Sequence, residues 1–244
     1  MTNVMLIARR EFRVYLTSPM AYVVACVFLA LYGALFIWYF EGTDYADTSI
    51  MGYLDIWGNL VLMLFAVVLA MRLIAEEKKL GTWELLMTAP IRDTEVVLGK
   101  YLGSLFMLVA MLALTFFFPI LLGIIPGIGF GDPDVGPILT GYLGLFLFGA
   151  ASLSIGLFAS SVTSNQIVAA VIGGGILAVL YFIGMAGDSI TGAIGNILSY
   201  ISLYYHFPAF TIGIIDTQAI VYYLSVIALF LFLTIRSIET SRWS

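Results

Sequence analysis

The stretch "EEKKLGTWELLMTAP", Glu76 to Pro90, joins two long apolar runs in a chain of 244 residues, of which 62% are hydrophobic and only 10% charged. Moving its four leading charges into hydrocarbon would cost on the order of 10 kcal/mol, so the segment lies in water. Leu80, Trp83 and Met87 recur at helical spacing, and Pro90 ends the run. The pattern predicts a short amphipathic helix whose tryptophan needs a surface to cover it.

The apolar runs on either side place the chain among polytopic membrane proteins, because a soluble domain needs far more charged residues. Crossing a hydrocarbon core of about 30 Å takes roughly 20 apolar residues as a helix, since backbone polar groups must pair internally there. The sequence therefore predicts an all-α fold with six transmembrane helices in a single domain, residues 1–244. The predicted spans are 20–40, 56–75, 96–122, 138–162, 166–185 and 218–235.

The positive charges predict the topology. All ten Lys and Arg residues lie before the first span, around the connection between the second and third spans, or after the sixth span. Short loops rich in Lys and Arg stay cytosolic, so both termini and residues 76–90 are expected on the cytosolic side. The outer parts carry eight acids and no base. These acids are either solvated loop residues or a vestibule that attracts cations.

An amphipathic helix is predicted before the first span, at residues 2–18, where it would lie on the membrane as an elbow. Its basic face carries Arg9, Arg10 and Arg13, and Ser18-Pro19 ends it. Its apolar side carries Met5, Ala8, Phe12, Tyr15 and Leu16. The alternative is a plain positive flank that only sets topology.

Residues 186–217 contain two apolar pieces that are each too short to cross the membrane comfortably, parted by His206 and Pro208. We expect a re-entrant or interface-lying pair of helices on the outer side. Tyr200, Tyr204, Tyr205 and His206 are expected at headgroup depth, where amphipathic rings reside.

Small residues are concentrated in the fourth and fifth spans, including Gly173-Gly174-Gly175 in the fifth. Helices in lipid associate through close van der Waals packing, which small residues permit. These spans are therefore expected to pack closely against other helices.

The spans lack the residues that several functions need. No span carries an ionisable residue near its centre, and Arg72 and Lys100, near cytosolic ends, are expected to snorkel. This weakens a proton- or sodium-driven carrier without excluding it, because broken helices can coordinate sodium. The sequence contains no phosphate-binding loop, and its single His and single Cys form no triad or metal cluster. We therefore predict a chain that is not an enzyme, holds no cofactor or metal, and takes its energy from another protein.

The order E-E-K-K-x-G-T-x-E-L-L-x-x-x-P, followed by a polar turn and "VLGKYLGSL", resembles the stretch between the second and third spans of ABC-2 type ABC-transporter permeases. The stretch "RREFRVYLTSPMAYVV" resembles the elbow helix and the start of the first span in that family. The resemblance covers essentially the whole chain. It is closest to the permeases of gliding-motility-associated ABC transporters.

This resemblance implies that two permease subunits pair, as a homodimer or a heterodimer, and that each presents a cytosolic coupling helix to a separate ATPase, which holds ATP and Mg²⁺. Gly81-Thr82 would set the turn of that helix, Trp83 and Leu86 would be its buried anchors, and Glu84 would be a polar contact. The whole ATPase-coupling contact would consist of Glu76, Glu77, Lys78, Lys79, Gly81, Thr82, Trp83, Glu84, Leu85 and Leu86. The elbow helix would consist of the segment around Arg9, Arg10, Phe12 and Arg13.

The predicted function is the permease subunit of an ABC transporter in the cytoplasmic (inner) membrane, which exports its substrate by alternating access. Membrane lipid and an outer-face accessory subunit are further expected partners, and nucleic acid is not. A secondary transporter or channel is one alternative, and it would transport without ATP or an ATPase. A membrane anchor of a motility or secretion machine is the other, and it would assemble without substrate-stimulated hydrolysis.

The topology can be tested with single cysteines in a Cys26→Ala chain. Glu84→Cys is expected to react with a membrane-impermeant maleimide only after the membrane is opened, whereas Asp216→Cys should react in intact cells, because the charge distribution places the two residues on opposite sides. Labelling of Glu84→Cys in intact cells would contradict the topology.

Overall fold

The computed structural model describes residues 2–41, 52–84, 91–124, 135–190 and 192–241, and the fold is given for those residues. They form α-helices and one 3₁₀ turn, Gly52–Leu54, with no β-strand in these ranges, so the predicted all-α fold is confirmed. The helices are α1 (Thr2–Thr17), α2 (Pro19–Glu41), α3 (Ile56–Ala70), α4 (Ala75–Leu80), α5 (Asp93–Thr115), α6 (Phe117–Ile124), α7 (Val135–Val162), α8 (Gln166–Ser189), α9 (Ala193–Ile201), α10 (Pro208–Thr211) and α11 (Thr217–Ser241).

Within the described ranges, six segments are long and apolar enough to cross a membrane, as predicted. They are Pro19–Tyr39, Trp57–Leu80, Asp93–Leu121, Val135–Val162, Gln166–Ser189 and Thr217–Thr240. The second combines α3 and α4, and the third runs from α5 into α6. Several spans extend a few residues beyond the predicted bounds, because helical hydrogen bonding continues into polar residues after the apolar stretch has ended.

The fourth span, α7, is the centre of the bundle. In its most apolar window, 83% of the residues are buried inside the chain, compared with 22% in the first and sixth spans. Helices α3, α5, α8, α10 and α11 all pack against it. Its glycines allow this close approach: a Cβ atom at Gly156 would lie 2.6 Å from Ala70 Cβ, and one at Gly149 would lie 2.9 Å from Leu108 Cδ2.

The three glycines of the fifth span differ from one another. A Cβ at Gly173 would lie 3.2 Å from Ala159 Cβ of α7, so this glycine packs as expected. Gly174 and Gly175 have no such neighbour within 4 Å among the described residues. Close packing inside the chain therefore accounts for only one of the three.

The two ends of the bundle differ in composition. Helices α1 and α4, the start of α5 and the last turns of α11 lie at one end, which we call the basic end. Helices α9 and α10 lie at the other, which we call the acidic end, with Asp55, Asp188 and Asp216. There Tyr204 donates a hydrogen bond to Asp55 Oδ1 at 3.1 Å, which ties the segment between α9 and α10 to the start of the second span.

Helix α1 packs along α5. A Cβ at Gly99 would lie 2.6 Å from Ile7 Cβ, and one at Gly103 would lie 2.5 Å from Glu11 Cβ, so these two glycines permit the contact. The side predicted to face lipid is divided between two environments: Ala8 and Tyr15 are buried in the protein, whereas Met5 and Leu16 are exposed. Helical periodicity identifies an apolar face but does not distinguish lipid from another helix.

The segment between the fifth and sixth spans forms two short helices, α9 and α10, and neither is long enough to cross a membrane. Helix α9 packs on α8, and α10 packs on α7, where Thr140 Oγ1 donates a hydrogen bond to the Phe210 carbonyl at 2.7 Å. His206 was expected in the interface, but it is only 5% exposed and lies under aromatic rings. Tyrosines from α9 and α11 converge on the imidazole and cover it, and its position at headgroup depth stays a prediction.

The tight contact at Gly156 yields a stability prediction. Gly156→Val is expected to lower the free energy of unfolding by about 1–3 kcal/mol, because the added atoms overlap α3. Gly175→Val is the matched control in the isolated chain, since its site is open. Thermal unfolding in detergent measures both, and equal destabilisation by the two variants would contradict the packing described.

Candidate functional site

The segment predicted to couple to an ATPase, residues 76–90, begins within α4, which continues the second span after a turn at residues 71–74. Gly81 ends α4 with φ of +70°, a left-handed conformation that favours glycine. Thr82 Oγ1 donates a hydrogen bond to the Glu77 carbonyl at 3.3 Å across this turn, and a new helical turn starts at residues 82–84. The predicted continuous helix through Leu80 and Trp83 is therefore interrupted at Gly81. Residues 85–90 lie outside the described part of the chain.

A buried lysine joins this segment to two other helices. Lys100 Nζ of α5 lies 3.0 Å from Glu11 Oε1 of α1 and 2.8 Å from Glu77 Oε1 of α4. The lysine side chain is 1% exposed, and the two carboxylate side chains are 12% and 18% exposed. The expectation that Lys100 snorkels was wrong, because two acids from distant parts of the sequence reach it. We call Glu11, Glu77 and Lys100 the lysine cluster.

A second ion pair lies beside the lysine cluster. Arg72 Nε lies 3.6 Å from Glu76 Oε2, and the guanidinium lies over the Tyr15 ring at 5.0 Å. The Tyr15 hydroxyl donates to the Leu69 carbonyl at 2.8 Å, so α1 is also fixed to the end of α3. Burial raises the pKa of Tyr15, which keeps the phenol neutral as a donor.

A cleft of about 260 Å³ opens between α1 and α4 at this point. Its charged lining consists of three bases and three acids, so their formal charges balance: Arg10, Arg72, Lys100, Glu11, Glu76 and Glu77. Glu77 uses one carboxylate oxygen for Lys100. Its other oxygen is buried and has no hydrogen-bond partner among the described residues.

The turn before α4 is held by the end of α7. Ser160 Oγ accepts hydrogen bonds from the backbone N–H groups of Ile74, at 3.1 Å, and Ala75, at 3.0 Å. The same hydroxyl donates to the Met71 carbonyl at 2.9 Å. The first N–H groups of a helix lack intrahelical acceptors, and Ser160 supplies one. Lys78 also donates to the Ser161 carbonyl, so α4 is attached to the central helix at two points.

The predicted coupling residues occupy three environments. Lys79, Gly81, Thr82 and Glu84 are exposed, and Glu76, Glu77 and Lys78 are partly buried. Trp83 is 7% exposed and belongs to the hydrophobic core of this chain. Leu85 and Leu86 lie outside the described residues. The tryptophan predicted to anchor a partner is thus covered before any partner arrives, whereas Leu80 is 67% exposed.

The predicted elbow residues also lie in different environments. Arg9, Arg10 and Arg13 are exposed, and Phe12 packs edge-on against Phe106 of α5 with ring centroids 6.2 Å apart. Sequence reasoning missed Glu11, Tyr15 and Ser160 as site residues. The one available signal was Lys100 itself, because a lysine within an apolar helix needs an acid nearby.

Removing the buried lysine tests the lysine cluster. Lys100→Met leaves Glu11 and Glu77 facing each other without a cation and is expected to destabilise the chain by about 3–5 kcal/mol. Combining it with Glu11→Gln and Glu77→Gln should recover most of that loss, because no uncompensated charge remains. Lys79→Met, at an exposed site, is the control. A thermal unfolding midpoint unchanged by Lys100→Met would contradict the assignment.

Comparison with known families adds an independent finding. The family described as ABC-2 family transporter protein matches residues 9–187, which is well over half of the chain and includes the whole lysine cluster. No curated protein matches the chain. The described residues also contain six helices long and apolar enough to cross a membrane. The chain therefore belongs to the ABC-2 transporter family and is a multi-pass permease subunit of an ABC transporter.

Proposed function

We propose that this permease exports its substrate across the inner membrane by alternating access, and that a separate ATPase drives it through α4 and the turn at Gly81. The observation that supports the proposal most strongly is the buried Lys100, which joins α4 to α1 and to the third span. The ATPase holds ATP and Mg²⁺, and both termini of the permease lie in the cytosol on its side.

The attachments of α4 are suited to transmit a displacement. Helix α4 continues the second span, pairs with the third through Glu77 and Lys100, and bonds to the fourth through Ser160. A force applied at the turn after α4 would therefore reach three spans through short contacts, including the central helix. Packed helices of this kind shift as units between discrete arrangements.

The exposed surface around Gly81 has the character of an interface. Leu80 is an exposed apolar side chain, flanked by the exposed Lys79, Thr82 and Glu84. Interfaces commonly combine an apolar centre with a polar rim. In this proposal Leu80 enters the ATPase groove, Trp83 supports the turn from inside the permease, and Leu85 and Leu86 extend the contact.

A second permease subunit is part of the proposal, as a second copy of this chain or an unlike relative. Only 28% of the fifth span's most apolar window is buried within the chain, and Gly174 and Gly175 leave open space beside it. Small residues permit close helix contacts in lipid, so this face is suited to a partner. Substrate would pass along the interface between the subunits, where an outer-face accessory subunit would also have access.

Within the family, we propose that the chain is nearest the permeases of gliding-motility-associated transporters. The support is its sequence likeness to them in "SPMAYVV" and "EEKKLGTWELL". Its gene neighbourhood and co-purifying proteins would test this placement.

The coupling proposal is tested by Leu80→Asp in a complex reconstituted with the ATPase. We expect a loss of about tenfold or more in ATPase binding, with transport and permease-dependent hydrolysis reduced in parallel, because an apolar contact is replaced by a charge. The stability of the permease alone should be unchanged, since Leu80 is 67% exposed. Leu6→Asp, at an exposed apolar site of α1 away from the turn, is the matched control.

Trp83→Ala separates a supporting role from direct contact. It is expected to destabilise the permease itself by about 3–5 kcal/mol, because the ring is buried in its own core. If Leu80→Asp assembles, hydrolyses ATP and transports as the wild type does, the coupling proposal is wrong. Transport without any ATPase would favour a carrier or channel.

A further inference from the structure

The acidic end of the bundle contains a cavity of about 670 Å³ between the end of α8, helix α9 and the start of α11. Its lining includes two carboxylates, Asp188 and Asp216, and three aromatic rings, Tyr200, Tyr205 and His206. The cavity is at the opposite end from the proposed coupling surface, and all of these residues lie beyond the part of the chain that the family matches.

Neither carboxylate of the cavity forms an ion pair with a Lys or Arg among the described residues. Asp188 accepts a hydrogen bond from Ser199 Oγ at 3.4 Å, and Asp216 accepts one from the backbone N–H of Gln218 at 2.9 Å. No Lys or Arg occurs in the sequence between Lys100 and Arg236. Two carboxylates that line one cavity, with no Lys or Arg beside them among the described residues, attract cations and repel anions.

The aromatic rings form walls suited to a cation. The rings of Tyr200 and Tyr205 stand nearly at right angles to that of His206, with centroids 5.2 Å and 5.6 Å away. Behind the imidazole, Tyr222 stacks on it at 3.9 Å. Aromatic faces within about 6 Å of an ammonium group attract it electrostatically.

His206 adds a buried polar atom without a partner. Its Nδ1 lies 3.1 Å from the Ser202 carbonyl, so this nitrogen carries the proton and donates it. In the neutral ring Nε2 is then an acceptor, and it is buried with no hydrogen-bond partner among the described residues. His206 lines the cavity, so an N–H donor bound there would have this acceptor beside it.

A metal ion fits this site less well. No group of three His, Cys, Asp or Glu side chains in the described ranges is placed to hold one. The carboxylates, the ring faces and the unsatisfied acceptor together match an organic cation that carries N–H groups.

We propose that this cavity binds a primary ammonium group, such as that of an aminoethyl headgroup or a small soluble amine. Asp188 and Asp216 supply the charge, Tyr200 and Tyr205 the ring faces, and His206 Nε2 the hydrogen-bond acceptor. The site is independent of the coupling surface and does not depend on the proposed function.

The test uses the full-length permease, without an ATPase, in nanodiscs of phosphatidylglycerol, a lipid with no amine. Saturation-transfer NMR then follows the binding of ethanolamine, with ethylene glycol as the neutral analogue. We expect ethanolamine to bind and ethylene glycol not to bind. Tetramethylammonium, which has no N–H group, should bind at least about threefold more weakly than ethanolamine.

Two sets of variants make the result specific. Asp188→Asn with Asp216→Asn should weaken ethanolamine binding about tenfold, while Asn still caps α11 and preserves the fold. Tyr205→Leu should weaken it several-fold by removing a ring face, whereas Tyr205→Phe should retain it. Glu84→Gln, at the basic end, should have no effect.

The lipid composition identifies the source of the ammonium group. If phosphatidylethanolamine in the nanodiscs suppresses the ethanolamine signal, the site takes the lipid headgroup. If it does not, the site takes a soluble amine, and both results support the proposal. Equal binding of ethylene glycol and ethanolamine, or unchanged binding by the folded Asp188→Asn, Asp216→Asn variant, would overturn it.

Discussion

The arrangement of the basic end depends on one buried cation. Lys100 is 1% exposed and lies within hydrogen-bond distance of Glu11 and Glu77, so removing the lysine would leave both carboxylates without their cation. Buried ion pairs contribute little net stability compared with apolar packing, but breaking one is costly. The cluster therefore fixes the position of α1 and α4 on the third span more than it stabilises the fold. The proposed transmission of force through α4 requires this property.

The two ends of the molecule differ in the kinds of side chain and interaction that they contain. At the basic end, ion pairs and the Ser160 hydroxyl attach an exposed turn to the central helix. At the acidic end, aromatic rings and carboxylates surround a cavity. Tyrosine hydroxyls there bond to a backbone carbonyl, as Tyr223 does to Leu203 at 2.8 Å, or to a carboxylate, as Tyr204 does to Asp55. Helix α7 runs between the two ends, and its glycines allow neighbouring helices on nearly every side to approach it closely.

The spans and the acidic end of the bundle follow from the sequence, because hydropathy and charge accumulate over many residues. The contacts of the site do not. Glu11 and Lys100 are 89 residues apart, and nothing in either local pattern specifies the other. Helical spacing placed Trp83 on an apolar face but did not show that the chain itself covers that face. For the same reason, the sequence did not predict that the apolar side of α1 is divided between lipid and α5. Nor did it predict that His206 is buried beneath Tyr222. Only the packed arrangement of helices decides these cases.

The central claim is that α1 and α4 move together as one body when the ATPase acts. Its most direct test is a pair of spin-label distances in the reconstituted complex, with Cys26→Ala as the background. One pair, Arg9→Cys with Lys79→Cys in a single permease subunit, should keep its distance between the nucleotide-free and ATP-bound states. The other, Lys79→Cys in both subunits, should shift by several ångströms, in line with helix displacements in such transitions. A change between α1 and α4 as large as the change between subunits would contradict the account.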